Sequence, residues 1–208
     1  MDNHDIDIIA ERIIEKILDH RPIPIEASGR HVHLCQKDLE SLFGAGYSLT
    51  KKKELSQPGQ FQSNEKVMLI GPKGVIKNVS ILGPVRVHTQ VEVSKTDAVA
   101  LGIQAPVRES GDLKGSGSLF IVAQNSIIKA DESVIVAKRH IHMTPFDAKL
   151  YRVKNGDIVK VKIEGERSLI FDDVVIRVSD KYKAAMHIDF DEANACCYLK
   201  GMNAKLIR

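Results

Sequence analysis

Two short stretches, RHVHLCQKDL at residues 30–39 and RHIHMTPFDA at residues 139–148, carry the strongest pattern in the sequence. They align without a gap, and each contains two histidines separated by one residue. In the second copy Thr144 and Pro145 are typical of a helix N-cap and first helical position, so each copy is predicted to be a strand that leads into a helix. Cys35 occupies the place of Thr144, which predicts a capping position for it. The repeat indicates an internal duplication.

The sequence around the repeat consists of short runs rich in valine and isoleucine, separated by Gly, Pro and Asn. Turn signals about every 8 to 12 residues are typical of β-barrels or sandwiches. Helical periodicity is brief, as at residues 36–43 and 145–152. We therefore predict a mainly β protein of two similar barrel or sandwich domains with short helices. The polar, glycine-rich stretch ESGDLKGSGS places the predicted boundary near residues 110–118, which gives domains at 25–112 and 118–208.

An amphipathic helix is predicted within residues 1–20, because the isoleucines of residues 5–18 recur on one helical stripe. The segment HRPIPIE at residues 20–26 contains two prolines, which end the helix and predict an extended linker. The helix either packs on the body or on a second copy of the chain, or it is a docking peptide.

Composition excludes several classes of protein. The chain has 208 residues, 43% of them hydrophobic, and a formal net charge of +3, without a dense basic block suited to nucleic acid. No apolar run approaches the about 20 residues that span a bilayer, and no signal peptide pattern is present. The three cysteines do not form a disulfide framework. We expect a cytoplasmic protein with reduced thiols, no membrane partner and no nucleic-acid partner.

The paired histidines are candidate metal ligands. Residues i and i+2 of a strand point to the same face, so His31 lies beside His33 and His140 beside His142. Neutral imidazole is a common zinc ligand, and each pair offers two nitrogens. A single pair also occurs in ordinary strands, but two pairs at equivalent places of a duplication favour a metal centre.

A second set of polar residues lies in VRVHTQVEVS at residues 85–94. Strand alternation predicts that Arg86, His88, Gln90 and Glu92 share one face, with valines on the other. Glu92 is a candidate anionic metal ligand, Arg86 is suited to binding phosphate through its guanidinium, and His88 is expected to be solvated.

A third segment, MHIDFDEAN at residues 186–194, adds His187 as a candidate ligand. A ligating imidazole needs a hydrogen-bond acceptor that fixes its tautomer, and Asp189 or Glu192 could provide it.

With these residues assembled, the chain resembles the phosphate propanoyltransferase family. The resemblance covers about residues 25–194 and includes SGRHVHL, LSQPGQF, GPKG, ILGPVR, TQVEVSKTDA, LGIQAPVR, SGD, AKRHIHM, GDIVKVKIEGER, LIFDDVVIRVSD and MHIDFDEANA. It implies two β-barrel domains with a dinuclear zinc site between them, reached by the pantetheine arm of coenzyme A. The implied metal ligands are His31, His33, Glu92, His140, His142 and His187. Arg86 matches the phosphate-binding arginine, and Ser28, Gln57 and Asn194 match polar residues of the coenzyme A pocket.

The implied reaction interconverts acyl-CoA plus phosphate and acyl phosphate plus CoA, with short acyl chains such as propanoyl or acetyl. The implied cofactor is two Zn²⁺ ions per chain. The N-terminal helix is similar in kind to encapsulation peptides, which implies a bacterial microcompartment as location and its shell or cargo as partner; a homo-oligomer is also compatible.

Three other readings of the same residues stay open. The ligands could serve a dinuclear metal-dependent hydrolase that activates water. They could also form a cupin-like binding module, or hold metals that only clip the two domains together. A covalent route through Cys35 is a further alternative mechanism.

Overall fold

The computed structural model describes residues 21–207, together with residues 5, 6, 8, 9, 12, 13, 16 and 17. The predicted helix at residues 1–20 therefore lies largely outside the described residues and stays a prediction. The helices span Gln36–Phe43, Lys95–Leu101, Pro145–Leu150 and Phe190–Ala195. The strands are β1 (Ile23–Ser28), β2 (His31–His33), β3 (Lys51–Glu54), β4 (Phe61–Ile70), β5 (Val75–Gly83), β6 (Gln90–Glu92), β7 (Val107–Arg108), β8 (Gly117–Ala123), β9 (Ser126–Ala137), β10 (His140–Met143), β11 (Ile158–Ile163), β12 (Leu169–Val178), β13 (Ala185–Asp189) and β14 (Asn203–Ile207).

One compact unit comprises Ser28–Lys138 with Asp189–Glu192, and we call it barrel A. Its strands run in the order β4-β5-β2-β6-β9, and β8 closes the ring by pairing with both β9 and β4. Strands β3 and β7 extend the sheet at β4 and β9. The apolar faces of these strands and helices enclose one core, which includes Val32, Leu34, Leu39, Leu69, Ile81, Val91, Leu101 and Ile121.

The second unit, barrel B, comprises the described residues through Ala27, Arg139–Ile188 and the residues from Ala193 onward. It is a closed barrel of β1-β13-β10-β12-β11-β14. Its core includes Ile23, Ile25, Ile141, Met143, Val161, Ile163, Ile176, Met186 and Ile188. Most of these core positions are valine or isoleucine, whose branched side chains suit a pleated, half-buried surface.

The two rings have the same strand order. Strands β2, β5, β4, β8, β9 and β6 of barrel A correspond in turn to β10, β12, β11, β14, β1 and β13 of barrel B. In each ring the His-x-His strand pairs in parallel with one neighbour and antiparallel with the other. The prediction of a mainly β protein with two similar barrels is confirmed.

The division of the chain differs from the predicted one. The strand before each His-x-His pair belongs to the other barrel: β1 pairs with β14, and β9 pairs with β6. Residues 21–26 are accordingly not a linker, because Ile23 and Ile25 are buried in the core of barrel B. The glycine-rich stretch at 110–118 is a loop inside barrel A that leads into β8 at Gly117, and the chain passes to barrel B between Lys138 and Arg139. The exchange of a strand between the two repeats does not change the local composition. The predicted domain boundary, which rested on composition, was therefore placed at a polar loop.

The helix N-termini follow local sequence. Thr144 caps its helix and Pro145 is the first helical residue, as predicted, and Thr144 also forms a capping box with Asp147. The helix Lys95–Leu101 was not predicted, although Ser94 and Asp97 form the same box. Among the described helices, none has the length and apolar content needed to cross a membrane.

Candidate metal centres

The first candidate centre, triad A, consists of His31, His33 and Glu92 in barrel A. The two histidines lie on one face of β2, and His31 is directly opposite Glu92 on β6. One ligand atom from each side chain lies within 4.8 Å of the others. The Nε2 atom of His31 is 3.4 Å from the Oε2 atom of Glu92. Both histidines are buried, so the barrel fixes their orientation.

The second candidate centre, triad B, consists of His140, His142 and His187 in barrel B. His140 is directly opposite His187 across the antiparallel pair of β10 and β13. The three rings stand with centroids between 4.6 and 5.1 Å apart, and a ligand atom of each lies within 4.8 Å of the others. The ring of Tyr182 stacks on His142 at a centroid distance of 4.0 Å.

The two triads are built on the same register. In each barrel the third ligand faces the first histidine of the pair, so Glu92 of barrel A corresponds to His187 of barrel B. The duplication thus gives each barrel three donors in one arrangement but with different charge. All six residues are ligand candidates in the sequence, and the structure brings them together in two groups of three. The equivalence of Glu92 and His187 was not predicted.

Burial keeps the deepest histidines neutral. The pKa of His33 lies well below 6.5, because of burial first and then the nearby His31 and Arg86. The pKa of His142 is lowered to about 2, by burial and then by His140 and His187. Neutral imidazole is the form that binds a metal.

The surroundings of His31 and His187 also suit metal ligands. The Nδ1 atom of His31 is 2.8 Å from the carbonyl oxygen of Gly29, to which it can donate, and this leaves Nε2 as the unprotonated nitrogen. The Nδ1 atom of His187 lies 3.7 Å from a carboxylate oxygen of Glu26 on β1. The triads thus offer nitrogen and carboxylate donors held by outer partners, a set that fits Zn²⁺.

The carboxylate beside His187 was not predicted, since sequence reasoning proposed Asp189 or Glu192. Each of those two accepts a hydrogen bond from the other's backbone N–H, at 2.8 and 3.0 Å, and together they cap the helix Phe190–Ala195. Glu26 could not be found from sequence, because its strand was taken for a linker.

Arg86 does not lie on the strand predicted for residues 85–94, which begins only at Gln90. Val87, predicted to share the apolar face of that strand, is 85% exposed. The backbone N–H of Arg86 donates to Leu34, and its guanidinium donates to Ser110 at 2.9 Å. Ser110 in turn donates to Glu92 at 3.2 Å, so its hydroxyl joins Arg86 to triad A.

A cleft of about 220 Å³ opens beside triad A. Its lining combines a metal-ligand candidate, the arginine and two turns: His33, Arg86, Pro58, Gly59, Gln60, Gly83 and Pro84. A side chain at position 83 would meet the ring of Phe61 at 2.2 Å, so the close approach of that ring requires glycine. The cleft presents a cation and a neutral imidazole to any small anion that enters it.

The remaining predicted site residues are placed as follows. The hydroxyl of Ser28 is 3.4 Å from Nδ1 of His31. Gln57 is buried and precedes the three residues of its loop that line the cleft. Asn194 is exposed on the helix Phe190–Ala195. Their contact with coenzyme A stays a prediction.

Sequence reasoning missed Ser110. It lies in the polar stretch taken for a domain boundary, yet it bonds to Arg86, Gln90 and Glu92. A polar loop that contacts a functional site has the same composition as a linker, so composition could not identify Ser110. The one sequence signal for Ser110 was the motif SGD at residues 110–112, which the chain shares with the family.

Cys35 occupies the N-cap position of the helix Gln36–Phe43, and its side chain makes no capping bond. Its backbone N–H donates to the hydroxyl of Thr89, which donates to Asp38 at 2.5 Å. Replacing Cys35 with serine should therefore add a cap and raise stability by about 1 kcal/mol while turnover stays near normal. Thermal unfolding and steady-state assays would check this.

Thr144→Ala is the matched control for that substitution. It removes the capping box of the equivalent helix and should lower stability by about 1 kcal/mol. Loss of most turnover in Cys35→Ser would instead favour a covalent role for the thiol.

The lowered pKa values of His33 and His142 predict how the stability of the metal-free protein depends on pH. Below pH 6.5 the unfolded chain protonates these histidines and the folded chain does not. The contribution of these histidines to the free energy of unfolding is therefore fully present above about pH 7. It decreases as the pH falls, by about 1 kcal/mol per histidine between pH 6.5 and 5.5. Urea unfolding across this pH range measures the free energy of unfolding. A variant with glutamine at positions 33 and 142 should lose this dependence on pH, and an unchanged dependence would contradict the role of the two histidines.

The two rings of equal strand order, each with a triad of imidazole or carboxylate donors, define a duplicated β-barrel protein with two candidate metal centres. The family model described as phosphate propanoyltransferase matches residues 24–199. The chain belongs to the phosphate propanoyltransferase family, and it is an acyltransferase.

Relatives match along nearly the whole chain. A phosphate propanoyltransferase of Clostridioides difficile is 54% identical over 200 residues, which cover 96% of each chain. One of Listeria monocytogenes is 50% identical and covers 100% of this chain and 98% of the relative. One of Thermotoga maritima is 54% identical over 186 residues, or 88% and 89% of the two chains. Similarity of this extent includes both barrels.

Proposed function

We propose that this protein is a phosphotransacylase that interconverts acyl-CoA plus phosphate and acyl phosphate plus CoA, with short acyl groups such as propanoyl or acetyl, at a dinuclear zinc site. The observation that carries this proposal is the cleft in which Arg86 and His33 lie side by side, in a chain of the phosphate propanoyltransferase family. Both substrates carry phosphate groups, and a fixed cation next to a metal ligand suits their binding.

Two zinc ions per chain are proposed, one on each triad. His31, His33 and Glu92 would hold one ion, and His140, His142 and His187 the other. When bound, zinc supplies a Lewis acid for carbonyl or phosphate oxygen and a soft acceptor for thiolate sulfur.

The reaction needs a phosphate oxygen to attack the thioester carbonyl carbon. A carbon–oxygen bond forms, the carbon–sulfur bond breaks, and CoA leaves as the thiolate. Arg86 binds phosphate and offsets its charge, while the bond from Arg86 to Ser110 holds the guanidinium in place. Positioning and fixed charge supply the rate enhancement in this scheme, so no general base is assigned.

Contacts to coenzyme A are proposed for Ser28, Gln57 and Asn194. Ser28 lies beside His31, and Gln57 is in the loop that lines the cleft, which supports a polar role for both. Asn194 is exposed and so is accessible to a large substrate.

The product distinguishes this function from the hydrolase alternative. Purified protein should convert propanoyl-CoA and phosphate to propanoyl phosphate, observed as a new resonance by ³¹P NMR. Free propanoate formed at the same rate without phosphate would instead establish a hydrolase.

Targeting to a microcompartment is a separate proposal, since it depends on residues 1–20, most of which lie outside the described part. In this proposal the enzyme is made in the cytoplasm and its N-terminal helix binds shell or cargo. Deleting residues 1–20 should leave kcat/KM unchanged and abolish lumenal localisation of a fluorescent fusion. Loss of activity on deletion would show instead that the segment is structural.

A further inference from the structure

Gln90 lies on β6 opposite His33 and is 1% exposed. Both the oxygen and the nitrogen of its side-chain amide form hydrogen bonds. The carbonyl oxygen accepts from the backbone N–H of Gly111 at 2.7 Å, and the amide nitrogen donates to Glu92 at 2.6 Å and to Ser110 at 2.8 Å. A backbone N–H can only donate, so the bond from Gly111 fixes which end of the amide faces Glu92.

The two oxygens of Glu92 have different surroundings. Oε1 accepts hydrogen bonds from Gln90 and from Ser110, whereas Oε2 lies 3.4 Å from Nε2 of His31. One oxygen is thus bound to the barrel and the other is directed to the triad. This division predisposes the carboxylate to offer a single oxygen to a metal.

Ser110 extends the arrangement to Arg86. A hydroxyl has one proton and two lone pairs, and here the proton goes to Glu92 while Gln90 and Arg86 both donate to the oxygen. The loop that carries Ser110 is held to Gln90 through Gly111, which has a φ of +99° that favours glycine. Gln90 therefore connects the carboxylate ligand with the position of the guanidinium.

Barrel B gives an internal comparison. The residue opposite His142, at the register position of Gln90, is Ala185. There the third ligand is His187, which has the carboxylate of Glu26 as its outer partner. The amide is present in the barrel whose third ligand is a carboxylate and absent from the barrel whose third ligand is an imidazole.

We propose that Gln90 is a positioning residue that sets the orientation of Glu92 as a single-oxygen metal ligand and, through Ser110, the orientation of Arg86 toward phosphate. This proposal rests on the proposed function of triad A as a zinc site. Loss of such an outer partner weakens metal binding about 10- to 100-fold.

The test measures zinc affinity by competition with a chromophoric chelator in two backgrounds that each retain one triad. In the His187→Ala background, which leaves triad A, adding Gln90→Met should lower zinc affinity about 10- to 100-fold. In the Glu92→Ala background, which leaves triad B, the same substitution should change affinity by less than about threefold. An equal effect in both backgrounds, or no effect in either, would overturn the proposal.

Two further variants separate positioning from folding. Gln62→Met is the matched control, because Gln62 is a strand residue of the same barrel whose amide bonds to the hydroxyl of Ser80; it should not change zinc affinity. Ser110→Ala, in a loop, removes one bond to Glu92 and one to Arg86, and it should weaken zinc binding in the His187→Ala background and raise the KM for phosphate. If Gln90→Met does not fold, the Ser110→Ala result decides: unchanged affinity and unchanged KM overturn the proposal.

Failure of this inference is distinguishable from failure of the proposed function. Wild-type protein that forms acyl phosphate while Gln90→Met binds zinc normally refutes only the role of Gln90. Protein that forms no acyl phosphate refutes the function, and the affinity measurements still determine how Gln90 acts on triad A.

Discussion

Alanine in place of His31 or His140 should abolish phosphate-dependent thiol release, with kcat/KM falling on the order of 10³-fold or more. Each substitution removes one of three donors that lie within 4.8 Å of one another. The remaining two donors bind zinc much more weakly, so zinc content should fall from two ions per chain to one. Elemental analysis together with steady-state kinetics would measure both quantities.

His88→Ala is the matched control for these substitutions. His88 precedes β6 by two residues, is exposed and belongs to neither triad. Its loss should leave both zinc content and turnover unchanged. Full activity of His31→Ala or His140→Ala would mean that the affected triad does not serve the reaction, whatever metal it binds.

Arg86→Gln should have the second-largest effect, on the use of phosphate. A charge-assisted hydrogen bond contributes about 1.5 to 3 kcal/mol, so removing the guanidinium should raise the KM for phosphate about 10- to 100-fold. Zinc content should stay near that of the wild type, because Arg86 is not one of the three donors of triad A. Initial rates at varied phosphate, with acyl-CoA saturating, would measure the change.

Arg108→Gln controls for loss of positive charge. Arg108 lies on β7 in the same barrel and forms an exposed ion pair with Asp112 at 3.2 Å, which should contribute little to function. If Arg86→Gln leaves the KM for phosphate unchanged and raises the KM for acyl-CoA, Arg86 binds acyl-CoA and not phosphate.

The sequence was sufficient for the features that depend on local pattern. Alternation in the strands placed His31 beside His33 and His140 beside His142, and cap chemistry placed the start of the helix at Pro145. Both depend on neighbours within a few residues, for which period and propensity are reliable.

Features set by distant pairing were beyond the sequence. The ring of barrel B needs β1, which pairs with β14 at the far end of the chain. Pro22 just before β1 and Pro24 within it made this segment resemble a linker. Arg86 looked like part of a strand by alternation alone, and its stretch is a turn in which Val87 is exposed. Ser110 reaches the site through a loop, and nothing local marks the partner to which a loop returns.

In the proposed reaction, phosphate attacks acyl-CoA at a site that requires zinc on both triads. Its most direct test is thiol release from propanoyl-CoA and acetyl-CoA by purified protein, with and without phosphate, before and after chelation and zinc restoration. We expect release that depends on phosphate, disappears on chelation and returns with two zinc ions per chain. Release that continues without phosphate, or that survives removal of all metal, would contradict it.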